Sequence, residues 1–124
     1  MRDARQPENV AVPKAPYSPV VVSGDLVYTA GQVGFDERGE LVAGGIEAQT
    51  RRTLENLLAC LRAGDCTLDD VIKVNAYLHD LSLFDGFNGV YREFFREPYP
   101  ARTTVGASLP GGILVEIEAV ARRM

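Results

Sequence analysis

Several common functional classes need residues that this chain has little of. Cys60 and Cys66 are the only cysteines in 124 residues, which excludes a disulfide-stapled scaffold. They show neither CxxC spacing nor nearby histidines, which argues against zinc or another bound metal. Free cysteines of this kind are more often packing residues than reactive ones. His79 is the single histidine. It ends an expected strand in YLHDLS, where a surface or capping role competes with catalysis, and any Ser-His or Cys-His mechanism would rest on it alone. Asp80 and Asp85 flank it without metal-ligand spacing. Walker, GxGxxG, HExxH and GxSxG patterns are absent, so nucleotide hydrolysis, dinucleotide binding, zincin and hydrolase-elbow chemistry have no support.

Positive charge is also scarce. Thirteen Lys and Arg against seventeen Asp and Glu leave a net charge of −4, no electrostatic footprint for nucleic acid or an anionic membrane. No apolar run approaches the roughly 20 residues that span a bilayer. MRDARQPENVAVPKAP carries charges and prolines but no apolar centre, so it does not read as a secretory signal. A cytoplasmic protein is expected.

What is present is an ordinary globular composition, 46% hydrophobic and 24% charged, long enough for one domain over residues 1–124. Residues 1–16 read as irregular because Pro7, Pro13 and Pro16 break regular structure. SPVVVSGDLVYTAGQVGF gives two β-rich runs about a Gly24-Asp25 turn. FDERGELVAGG is a turn with at most a short strand after it. From Ile46 to Ala63, Thr50, Leu54, Leu57, Leu58 and Leu61 recur at helical spacing, with Gly64 placed as a C-cap. Residues 71–78 read as a strand with Ile72, Val74, Ala76 and Leu78 on one face. Residues 83–96 read as a helix striped by Phe84, Phe87, Tyr91, Phe94 and Phe95, ended by Pro98 and Pro100.

The closing stretch YPARTTVGASLPGGILVEIEAV reads as a strand, a Pro-Gly turn and a second strand. The order β-β-(β)-α-β-α-β-β predicts an α+β fold, a mixed sheet with two helices packed on one face. The last strand has Ile113, Val115, Ile117, Ala119 and Ala121 on one side, and Leu114, Glu116, Glu118 and Val120 on the other. Two helices cover only one face, so the second face is expected to meet another copy of the chain, although a solvated sheet face is also common.

Arg102 and Glu116 are the sharpest candidates for chemistry. One reading is a cross-strand salt bridge contributing at most ~1 kcal/mol. The other is an arginine fork on a substrate carboxylate beside a glutamate that holds water. A shared sheet face requires an odd-length loop or a bulge through Leu109-Pro110-Gly111-Gly112; an even loop separates them. Gly31 in YTAGQV marks a bulge or a close approach of backbone or ligand. Asn88 is either an exposed helix residue or a pocket residue.

APYSPVV, VYTAGQVGFD, AQTRRTLENL, VIKVNAYLHDL, FNGVYREFF and above all YPAR followed by VEIEAVA resemble the RidA/YjgF family of enamine/imine deaminases over nearly the whole chain. The resemblance implies a chorismate-mutase-like fold, a homotrimer with sites between subunits, a small 2-imino or enamino acid substrate, and no cofactor. Arg102 matches the carboxylate-binding arginine and Glu116 the water-positioning glutamate, with Glu118 a structural neighbour. Tyr17, Gly31 and Asn88 match pocket positions. Thr104 stands where many members carry cysteine, so no thiol is available there. The interval from Arg102 to Glu116 is about one residue shorter than in other members. The implied activity is hydrolysis of reactive 2-imino acids to 2-keto acids and ammonia. Two alternatives are a non-catalytic carboxylate-binding trimer and a ribonuclease; the acidic composition argues against the second.

Overall fold

The structure, a computed structural model, describes residues 2–124. Six strands form one sheet: β1 (Asp3–Arg5), β2 (Val20–Ser23), β3 (Leu26–Thr29), β4 (Val71–Leu78), β5 (Ala101–Gly106) and β6 (Val115–Arg122). Their spatial order is β1-β2-β3-β6-β4-β5. All neighbours are antiparallel except β4 and β5, which run parallel. Two helices, α1 (Gly45–Ala63) and α2 (Phe84–Phe94), pack side by side on one face, giving the expected α+β architecture.

α1 buries Leu54, Leu57, Cys60 and Leu61 completely, on the spacing the sequence shows. Each such burial contributes about 1.5–3 kcal/mol for a leucine-sized side chain. Gly64 ends the helix, its N–H donating to the Leu61 carbonyl at 2.9 Å. A Cβ there would lie 2.6 Å from Val27 Cγ1, so glycine lets the helix end approach β3. Cys60 and Cys66 are both buried, and burial pushes the Cys60 thiol up to about 12. Both are packing residues, since nucleophilic or redox cysteine chemistry needs a thiolate. Before α2, the Asp80 carboxylate accepts the Ser82 N–H at 2.8 Å. α2 is two residues shorter at its end than the pattern predicts, because Phe95 turns extended and folds into the core.

Three expectations are corrected. β5 and β6 are not a hairpin: β4 lies between them, parallel to β5 and antiparallel to β6. β6 has a continuous apolar face and takes a central place, whereas β5 alternates between exposed and half-buried residues and takes the edge. Ile72 does not share a face with Val74, because the register shifts between Val71 and Lys73 and leaves Ile72 half exposed. The N-terminal segment is not wholly irregular, since β1 pairs with β2. Within FDERGELVAGG an isolated bridge joins Phe35 to Leu41, in keeping with the turn and at most a short strand expected there.

Candidate active site

Register decides which side chains can meet. Arg102 lies opposite Val74, and Val74 opposite Ala119; both neighbours are buried beneath the helices. Glu116 lies opposite Tyr77, one strand alternation out of phase, on the face that no helix covers. Arg102 and Glu116 therefore point to opposite sides of the sheet. Among the described residues neither joins an ion pair, so the cross-strand salt bridge is not formed.

On the helix side, the Arg102 guanidinium sits on aromatic rings from α2. Its Cζ is 4.6 Å from the Tyr91 centroid, 5.1 Å from that of Phe87 and 5.8 Å from that of Phe84. Tyr91 is itself stacked on Phe95 at 4.5 Å and tilted against Phe87 at 5.6 Å. Cation–π contacts of this kind contribute about 0.5–2 kcal/mol each, and they orient the planar fork without a competing carboxylate. Asn88, Tyr91, Arg92, Tyr99, Pro100 and Arg102 line a cavity of about 260 Å³, so Asn88 is a pocket residue. Thr104 stands on the same side of β5, opposite Ala76, but outside that lining. The Tyr91 hydroxyl is buried beside the Arg102 guanidinium and, among the described residues, has no other hydrogen-bond partner. Burial pushes its phenol up, with the Arg102 charge opposing the shift.

On the open side, Gly31 faces Glu116. A Cβ at Gly31 would come within 2.8 Å of the Glu116 carboxyl carbon, so the missing side chain makes room for this carboxylate. The next residue, Gln32, exchanges backbone hydrogen bonds with Ile117 at 2.8 and 2.9 Å. Buried amides of α1 brace both approaches. Asn56 Nδ2 donates to the Val33 and Phe35 carbonyls, each at 2.9 Å. Gln49 donates to the Gly112 carbonyl at 3.1 Å and accepts the Leu114 N–H at 2.9 Å. Burial pushes the Glu116 carboxyl above the usual carboxylate range, and the Glu118 charge adds to this. Glu118 is held by Tyr77 Oη, which donates at 3.1 Å, and by Asn75 Nδ2 at 3.4 Å.

Two other candidates stay apart. Tyr17 is 55% exposed on the loop before β2, and among the described residues no hydrogen bond links it to Arg102 or Glu116. His79 is exposed, and its backbone N–H donates to the Leu114 carbonyl at 2.9 Å. Among the described residues no three His, Cys, Asp or Glu side chains gather to hold a metal ion, and no helix is long and apolar enough to cross a membrane.

Residues 8–123 match the family described as Endoribonuclease L-PSP. The chain belongs to this RidA/YjgF/RutC family. A RutC family protein of Pyrococcus horikoshii is 45% identical over 98% of both chains. The 2-iminobutanoate/2-iminopropanoate deaminase of Dermatophagoides farinae is 40% identical over 87% of this chain and 86% of its own. Among solved structures, RidA from a Psychrobacter species superposes with a TM-score of 0.92 at 40% identity, over 98% of this chain and 99% of that one. The sequence shows the α2 aromatics as a helical stripe without assigning them a part in the site. Phe87 and Tyr91 do belong to the buried core, and together with Phe84 they also form the seat of Arg102; Arg92 and Tyr99 are additional lining residues. The four-residue step from Asn88 to Arg92 was the available signal, since it puts both on one side of a helix.

Proposed function

We propose that this chain is a hydrolytic deaminase of 2-imino acids, with each site assembled from two copies. The observation that carries this reading is the uncommitted Arg102 fork, seated on three aromatic rings beside a small cavity. A planar, permanently charged fork suits the substrate carboxylate better than an ammonium would. Glu116, on the other face, holds the attacking water. Water adds to the imine carbon and a proton goes to nitrogen; the carbinolamine then collapses to the ketone and releases ammonia. Imine hydrolysis is intrinsically quick, so most of the acceleration comes from fixing carboxylate and water in one geometry.

One chain cannot bring both groups to one small ligand, because the sheet stands between them. Joining the Arg102 side of one copy to the Glu116 side of the next is a heterologous contact, which generates a ring where the rotation between copies closes. Three copies is the number the family resemblance implies, and such a ring would cover the sheet face that carries the exposed Tyr28 and Val105.

The test is a trapping assay. An amino-acid oxidase generates 2-iminopropanoate or 2-iminobutanoate in the presence of semicarbazide, and the semicarbazone is followed. The protein should suppress the adduct catalytically, and Arg102→Ala should lower kcat/KM by about two to three orders of magnitude. Glu116→Gln should lose turnover while retaining carboxylate binding. Binding without suppression of any imine would favour a non-catalytic carboxylate-binding protein. RNA cleavage unaffected by Arg102→Ala would leave the proposed site without a part in it.

A further inference from the structure

The helix-side cavity holds a second cation that binding of a single carboxylate does not use. Arg92 lines it together with Arg102. Other arginines on or beside α2 are committed: Arg51 pairs with Glu93 at 2.8 Å and Arg96 with Asp69 at 2.6 Å. Among the described residues, Arg92 and Arg102 pair with no carboxylate. No Asp or Glu lines the cavity either, although the chain carries a net charge of −4. Two free guanidiniums therefore share one small cavity in an otherwise acidic protein. The wall between them is the Tyr91 ring, which is 96% buried and carries the Arg102 guanidinium on its face.

We infer that the preferred substrate of this site is a 2-imino acid bearing a second carboxylate on its side chain, with Arg102 holding the carboxylate next to the imine and Arg92 the distal one. This rests on the deaminase reading and adds to it the class of imine: those formed from acidic amino acids rather than from small alkyl ones. Both contacts are charge-assisted and open to bidentate geometry. Selectivity arises because a short alkyl side chain leaves the Arg92 guanidinium facing the cavity unpaired. The chemistry at the imine carbon is unchanged, with water in and ammonia out.

Two measurements on the assembled protein test this. Affinities for the product-like acids 2-oxoglutarate and 2-oxobutanoate are compared by calorimetry, first for the unaltered protein and then for Arg92→Gln. The dicarboxylate should bind at least about tenfold more tightly, and Arg92→Gln should remove most of that ratio. In the trapping assay, the ratio of kcat/KM for 2-iminoglutarate over 2-iminobutanoate should fall about tenfold in the same variant. Arg92 is exposed, so the variant should fold, and an unchanged melting temperature checks this. Equal affinity for the two acids, or a preference that survives Arg92→Gln, overturns the inference. Loss of all imine turnover with the binding preference intact would sink the deaminase reading and leave the dicarboxylate site standing.

Discussion

The two sides of β4 carry opposite kinds of chemistry, supported in opposite ways. On the helix side a cation rests on aromatic rings, its donors free and its neighbours uncharged or positive. On the open side a carboxylate is hemmed in by a glycine backbone and by a second carboxylate. The first arrangement leaves a permanent charge available to a ligand, which is what binding needs. The second raises the proton affinity of an acid, which is what handling water needs. Lying on opposite faces of the sheet, Arg102 and Glu116 do not neutralise each other within one chain.

The strongest way to break this contrast is to mix two inactive proteins. Arg102→Ala and Glu116→Gln should each be nearly inert. After dissociation and reassembly of an equal mixture, about a quarter of the sites should contain both intact groups if each site draws on two copies. Recovery of about a quarter of the activity in the trapping assay is expected; no recovery would place both groups in one chain's site. Next in size is Gly31→Ala, where the added methyl meets the Glu116 carboxylate. A displacement of about 1 Å there should lower kcat by about ten- to a hundredfold, while calorimetry shows carboxylate affinity at the Arg102 side little changed.

A smaller effect separates stability from catalysis. The carboxyl of Glu116 titrates above its ordinary 4.5 in the folded chain, so its ionised form opposes folding. That penalty is absent below pH 4.5 and grows as pH rises through the folded value. Glu116→Gln should therefore melt higher than the unaltered protein at pH 7, with the difference shrinking toward pH 4. A difference of the same size at both pH values would remove the electrostatic cause. Smallest is Glu118→Gln. Removing that neighbouring charge should move the acid limb of the pH–kcat/KM profile to lower pH, and a limb that does not move would show that Glu118 has no electrostatic influence on Glu116.

Periodicity made most of the fold legible. Leu54, Leu57 and Leu61 reveal the buried face of α1, and Ile117, Ala119 and Ala121 reveal the buried face of β6. Pairing was less legible, because a Pro-Gly turn between two strands suggests a hairpin locally, while the actual partners of β6 are β3 and β4, far away in sequence. β1 has no apolar signal at all, since Asp3–Arg5 is held by edge hydrogen bonding to β2. At the site, the motif marked Arg102 and Glu116 but not their separation, which depends on a strand inserted between theirs. Tyr91 and Phe87 are core residues whose second part, as a platform for a cation, stays hidden because it has the same helical period as packing. Arg92 was overlooked because an exposed arginine on a helix is ordinary until its neighbours are known.

The position of β6 has a consequence for how the chain is made. It is the last strand in chain order, yet it sits between β3 and β4 and supplies Glu116. Synthesis proceeds from the N-terminus, so β3 and β4 emerge with their inner edges unpaired and wait for a partner that comes last. Because these contacts are long-range, the sheet closes late and slowly compared with the local order of α1 and α2. A nascent chain stalled before residue 115 would thus present two open strand edges side by side, a template for strands of other chains. The strand that carries Glu116 is also the one that ends this exposure.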